Sequence, residues 1–210
     1  MTMTKKGNLI VYSGPSGVGK GTILKPLLYP EGELVLSVSA TTRAPRVGEV
    51  DGREYHFVSR ERFIEMIASG DMLEYAEYNG NFYGTPKSFV ERQRELGRDV
   101  VLEIETKGAF QVKKLCPDAV MVFIMPPSYK ELKSRLVSRG TETPEQISGR
   151  LSAALGEIRL AEDYDFVIVN NDLEDARRQL MQAINSAGLL ARLNKNMIYE
   201  VLENAQTVHE

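Results

Sequence analysis

Gly14, Gly19 and Lys20 stand at the spacing Gly-x4-Gly-Lys within the run Gly14-Pro15-Ser16-Gly17-Val18-Gly19-Lys20-Gly21-Thr22. Glycines so placed let successive backbone N–H groups turn inward around an anion, and a lysine adds a point charge. The chemistry this suits is the holding of a nucleotide's phosphates. An apolar run, Leu9–Tyr12, precedes the loop, and a helix-compatible segment, Thr22–Leu28, follows it. A helix N-terminus there would add its partial positive charge. A plain glycine-rich turn is the duller reading, and the lysine and the context speak against it. The residue after Lys20 is Gly21 rather than Ser or Thr, which displaces to Thr22 the hydroxyl that usually reaches magnesium.

A second group of charges lies in Ser37–Tyr55. Arg43 and Arg46 are three residues apart and Tyr55 follows nine later. Arginine forks can grip phosphate oxygens bidentately and a phenol adds a donor, which suits a compact phosphate monoester. A solvated loop would carry the same charges. Further along, Arg135 and Arg139 are four apart and share a helix face, and Arg150 follows on the next helical segment. Arginines on a helical cover could be brought to a transferring phosphate.

These residues need elements to position them. Leu9–Ser13, Val100–Glu105, Val120–Met125 and Phe166–Asn170 are short, nearly continuous apolar runs, as expected of strands buried on both faces of a parallel sheet. Helical stretches between them predict an α/β core. Residues 39–89 interrupt it. Ser59 reads there as an N-cap, Gly70 as a helix stop, Asn79-Gly80 as a hairpin turn, and Thr85-Pro86 as an N-cap with proline at the first helical position. Residues 126–154 interrupt it again, with helix starts at Ser128-x-x-Glu131 and Thr143-Pro144-x-Gln146. Pro26 predicts a kink or an early end to the first helix. Leu173–Leu202 reads as one long amphipathic helical pattern, packing on the core or on a second subunit.

The composition narrows the choice. A chain of 210 residues, 42% hydrophobic and 26% charged, fits one globular unit. Its net charge of −3 argues against a bulk nucleic-acid binder. The one cysteine, Cys116, excludes an intrachain disulfide and reads as a packing residue. With only His56 and His209, histidine metal sites and serine–histidine catalysis are poorly supported. No apolar run is long enough for a signal core or a membrane span, so a cytoplasmic protein is expected.

Taken together, the chain resembles the guanylate kinase family of nucleoside monophosphate kinases. The resemblance rests on Gly14–Thr22, Ser37–Tyr55, Leu73–Glu77, Gly80–Thr85, Leu102–Glu105, Pro126–Ser128, Arg139–Thr143 and Val169-Asn170, and so covers nearly the whole chain. It implies a P-loop NTPase fold, a parallel sheet flanked by helices, in a single unit. The core would be 1–38, 90–125 and 155–210, the GMP-binding insertion 39–89 and the helical lid 126–154. It implies transfer of the ATP γ-phosphoryl group to GMP, giving GDP and ADP, with Mg²⁺. Gly14–Thr22 and Asn170 would hold ATP, and Arg43, Arg46, Tyr55 and Tyr83 the GMP phosphate. Ser39, Glu74 and Thr85 would read guanine. Glu103 and Glu105, two apart at the end of an apolar strand and so expected on one face, would belong to the GMP site, and Glu103 and Thr22 would sit near magnesium. Lys20, Arg43, Arg135, Arg139 and Arg150 would be the catalytic cations. Lys107 departs from the family's usual glutamine and carries no role. Expected partners are ATP and GMP, with dGMP a candidate second acceptor, in a monomer or homodimer without nucleic acid or membrane. Two rivals stand beside this reading: an adenylate kinase, which can carry the same loop, and a non-catalytic scaffold that binds phosphopeptides through the old GMP site.

Overall fold

In the computed structural model of this protein, residues 6–28, 34–138 and 143–207 are described. Leu9–Ser13 forms β1 and is buried at all five positions, as a strand covered on both faces must be. It is the centre of a five-stranded parallel sheet with β2 (Leu34–Leu36), β7 (Asp99–Glu103), β8 (Val120–Met125) and β9 (Phe166–Val169), in the order β2-β7-β1-β8-β9. The four apolar runs seen in the sequence are all strands. The edge strand β2 was not anticipated, because three half-buried residues leave no alternation to read.

Alternate side chains of this sheet enter two cores. Ile10, Tyr12, Val101, Val122 and Ile124 pack with Ile23 and Leu24 of α1 (Lys20–Leu24) and with Leu180 and Ile184 of α7 (Leu173–Ala187). Leu9, Val11, Val100, Leu102, Met121 and Phe123 face Val90 of α3 (Lys87–Glu95) and Ala109 and Val112 of α4 (Thr106–Leu115). Each fully buried Leu or Ile contributes about 1.5–3 kcal/mol. Cys116 is buried in this second core, as its packing role requires. Pro26 acts as expected: α1 stops at Leu24 and a 3-10 turn takes over at Lys25–Leu28.

A second sheet, in the order β4-β3-β6-β5, is built from β3 (Ala40–Thr41), β4 (His56–Phe57), β5 (Met72–Tyr78) and β6 (Asn81–Pro86). Asn79 and Gly80 have φ of 49° and 75°, the turn a two-residue hairpin demands. Ser59 caps α2 (Arg60–Ala68), and its Oγ accepts from the Arg62 N–H at 3.1 Å. The start of α3 differs from expectation. Thr85 belongs to β6, and the N-cap is Pro86, whose ring offers no hydrogen-bond acceptor. Asp71 supplies the missing acceptor from outside the helix, taking the Ser88 N–H at 2.7 Å and the Ser88 hydroxyl at 3.0 Å.

α5 (Tyr129–Val137) and α6 (Pro144–Arg159) pack through Leu132, Leu136, Leu151 and Ala154. Thr143 and Gln146 form the reciprocal capping box, and Ser128 accepts from the Glu131 N–H. The long C-terminal helix predicted over 173–202 is two helices. α7 ends at Ala187 with Gly188 as its C-cap, a 3-10 turn spans Ala191–Leu193, and α8 covers Lys195–Thr207. Leu190 N bonds Ala187 O and Asn194 Nδ2 bonds the carbonyls of Gly188 and Leu190, so local caps replace helix continuation. Among the described residues no helix is long and apolar enough to cross a membrane.

Candidate active site

Between Gly14 and Gly19, the three glycines sit where close contacts leave no room for a side chain. At Gly14 (φ 147°) a Cβ would lie 2.4 Å from the Ile124 carbonyl oxygen, and at Gly19 (φ 94°) 2.7 Å from Asn170 Nδ2. Gly14→Ala therefore strains both the backbone and the β1–β8 contact. It is expected to destabilise the protein by roughly 2–4 kcal/mol, read as a lowered denaturant midpoint at unchanged slope.

Lys20, the first residue of α1, folds back over this loop. Its Nζ donates to Gly14 O at 2.6 Å and to Pro15 O at 3.2 Å. Asn170 Nδ2 donates to Val18 O at 2.7 Å, and Arg135 reaches the same carbonyl at 3.3 Å while donating to Asn170 O at 3.0 Å. Arg135 is also held by Glu131 at 2.8 Å. Arg150 of α6 donates to Ser16 Oγ. Two of the three cover arginines thus touch the phosphate loop, and Arg139 lies outside the described residues. Gly17 completes the contact, because a Cβ there would meet Leu136 Cδ2 at 2.7 Å.

Two cavities open on this loop. One, of about 390 Å³, is lined by Ser16, Gly17, Gly19, Lys20, Gly21, Thr22 and Glu103. The other, of about 590 Å³, runs between the two sheets and includes Ser39, Tyr55, Glu74, Tyr83, Glu103, Glu105 and Lys107. Lys20 and Glu103 belong to both. Glu103 ends β7, and Glu105 lies past the strand as the N-cap of α4, not on one strand face with Glu103 as expected. Burial raises the Glu103 pKa and Lys20 pulls it back down. The absence of a side chain at Gly21 is not steric, since a Cβ would stand 3.8 Å from Glu103 Oε1 in ordinary contact.

Glu74 sits at the floor of the larger cavity, 8% exposed. Its Oε1 accepts from Thr85 Oγ1 at 2.7 Å, across the β5–β6 pair. Burial raises its pKa and the Thr85 hydroxyl opposes the rise. Gly108 lets the first turn of α4 close on this carboxylate: a Cβ there would meet Glu74 Oε2 at 2.7 Å. That contact went unforeseen, although a glycine in a helix's first turn was its visible trace.

Arg43 and Arg46 are not on the cavity wall. Arg43 stacks over the Tyr55 ring, 5.4 Å from its centroid, and lies beside the Tyr83 hydroxyl. Both tyrosines face the cavity, so Arg43 stands immediately behind it. Glu49, which sequence reasoning passed over, grips Arg43 from the other side. Arg46 contributes its backbone N–H to the same carboxylate at 2.7 Å, and its residue is exposed. Glu157 was also missed. It lies seven residues past Arg150 on α6, hence on the same face, half-buried where Lys20 opposes the burial-driven rise of its pKa.

A strand, a phosphate loop and a helix set in a parallel sheet, with two cavities meeting at one lysine, define a P-loop NTPase fold. Residues 6–187 match the protein-family model described as guanylate kinase. The chain belongs to the guanylate kinase family. It is 51% identical over 196 residues to a guanylate kinase of Clostridioides difficile, covering 93% of this chain and 96% of that one. It is 50% identical over 184 residues to one of Lactococcus lactis, covering 88% and 90%. A crystal structure of guanylate kinase from Anaplasma phagocytophilum superposes with a TM-score of 0.68 at 37% identity, over 87% of each chain.

Proposed function

We propose that this chain transfers the γ-phosphoryl group of ATP to GMP with the residues assembled around Lys20. The family phosphorylates GMP with ATP to give GDP, so the substrates are GMP and ATP. The observation that carries the residue-level reading is the meeting of the two cavities at Lys20 and Glu103. ATP occupies the loop side, its phosphates among the amides of Gly14–Thr22 and its base toward Asn170. GMP occupies the larger cavity, its guanine against Ser39, Glu74 and Thr85 and its phosphate toward Tyr55, Tyr83, Arg43 and Arg46. On this reading residues 39–89 form the acceptor-binding insertion, 126–154 the lid and the remainder the core, working in the cytoplasm.

The acceptor is a phosphate oxygen, already anionic near neutral pH, so no general base is required. Catalysis is positioning and charge neutralisation. Lys20 exchanges its carbonyl partners for the transferring phosphoryl oxygens, and Arg135 and Arg150, already against the loop, bracket the donor phosphates. Arg139 would join them from the lid. Glu103 and Thr22 form an oxygen donor set suited to Mg²⁺, opening on the phosphate loop. Bound with ATP, that cation supplies additional neutralisation of phosphate charge.

ADP release with ATP–Mg²⁺ and either GMP or AMP as acceptor tests the assignment. GMP-dependent turnover with AMP inert is expected, because adenine has neither the N1–H nor the N2 amino donor that guanine presents to Glu74. Turnover with AMP would overturn the guanine site, and silence with both from folded protein would favour a scaffold.

A further inference from the structure

Glu49 makes three hydrogen bonds at the mouth of the acceptor loop. Its Oε1 takes Arg43 Nη2 at 2.9 Å and its Oε2 takes Arg43 Nη1 at 3.0 Å, a two-pronged grip on the end of the guanidinium. The same Oε2 accepts the Arg46 backbone N–H at 2.7 Å. Both partners of the ion pair are largely covered, with side-chain exposures of 16% and 17%. Nη1 spends its remaining proton on Ala44 O at 2.8 Å. Phe57 and Tyr55 enclose the guanidinium, 5.7 and 5.4 Å from their centroids. Glu49 itself does not face the cavity. The order outward from the cavity is therefore tyrosines, Arg43, then Glu49.

We infer that Glu49 is a positioning residue for the acceptor phosphate, fixing the Arg43 guanidinium by its outer edge and locking the Arg43–Arg46 backbone turn. This inference rests on the reading that Arg43 meets the GMP phosphate. Of arginine's five N–H donors, Glu49 and Ala44 take those pointing away from the cavity and leave an edge toward Tyr83. An arginine held this way loses less rotamer freedom when it binds, and a carboxylate behind it keeps the cluster of cations from repelling itself apart. Arg43 in turn holds the Glu49 carboxyl below its ordinary range, with the Arg46 N–H adding to the effect.

The test compares GMP and guanosine binding by calorimetry for wild type, Glu49→Gln and Arg43→Met. Glutamine keeps the size but offers one acceptor and no charge. Glu49→Gln should weaken GMP by about ten- to hundredfold and leave guanosine within about twofold, because guanosine lacks the phosphate. In turnover, KM for GMP should rise much more than kcat falls. Unchanged or tighter GMP binding by Glu49→Gln would overturn the inference, tighter binding meaning that the carboxylate competes with the phosphate. Parallel loss of guanosine would overturn it too, showing a merely structural role. Arg43→Met separates the two levels. If it leaves GMP affinity intact, the phosphate assignment itself fails; if it weakens GMP while Glu49→Gln does not, only the role of Glu49 fails.

Discussion

Lys20→Met should lower kcat by on the order of 10³-fold while leaving the unfolding midpoint within a few degrees of wild type. Methionine matches the lysine stem and fills the same space. What it removes is the Nζ that now bonds Gly14 O and Pro15 O. Gly14 and Pro15 are buried, but methionine also avoids the desolvation cost of the ammonium group, which offsets the two lost hydrogen bonds, so the loss to stability should be small. The loss to the reaction should be large, because Lys20 is the cation common to both cavities and, on the proposed mechanism, acts where charge moves from donor to acceptor. Single-turnover ADP formation with saturating nucleotides isolates that step. A variant with wild-type kcat would remove Lys20 from the mechanism.

Glu74→Gln should reduce kcat/KM for GMP by roughly 10³–10⁴-fold. The carboxylate can accept from guanine N1–H and the N2 amino group together, and an amide presents its own NH₂ to one of them. Thr85, which now donates to Oε1 at 2.7 Å, would hold the amide in the least useful orientation, carbonyl toward itself. pH provides an independent check. Burial raises the Glu74 pKa, and only the ionised form can serve two donors. Guanosine affinity should therefore fall as pH drops through that raised pKa, above the ordinary carboxylate range, and should be flat over the same interval in Glu74→Gln. Stability moves the other way. A carboxyl whose folded pKa is raised opposes folding at neutral pH, and that penalty fades as pH falls toward the unfolded value. Glu74→Gln should consequently be no less stable than wild type at pH 7, as denaturant titration would show.

The phosphate loop was legible because its glycine spacing and its lysine are contiguous in the chain, and Gly14 meets β8, a strand the periodicity already located, although the contact of Gly17 with Leu136 of α5 was not. The four buried strands were legible for a similar reason, being apolar on both faces. What escaped were features made by distant partners. The cap of α3 could not be read at Thr85, because its acceptor, Asp71, comes from the other end of a hairpin. The break at Gly188 was hidden by an apolar period that runs on through it, while Asn194 closes the helix end from six residues away. Glu49 looked like one more charge in a polar loop. Only the fold shows that its oxygens meet Arg43 and the Arg46 N–H at once. Gly108 was visible as a residue but not as a contact, since Glu74 lies on a separate sheet.

Lys20 and Glu103 form part of both cavity walls, so on the proposed placement of ATP and GMP the two nucleotides should not bind independently. Whatever one ligand does to that shared lysine and carboxylate is felt by the other, and linkage makes the effect reciprocal: the factor by which ATP changes GMP affinity equals the factor by which GMP changes ATP affinity. Without a metal to offset them, two sets of phosphates around one ammonium group should hinder each other. A divalent cation beside Glu103 would relieve that antagonism and could reverse its sign. On that placement the shared wall should also act as a thermodynamic coupling element, tuned by whichever ions accompany the substrates.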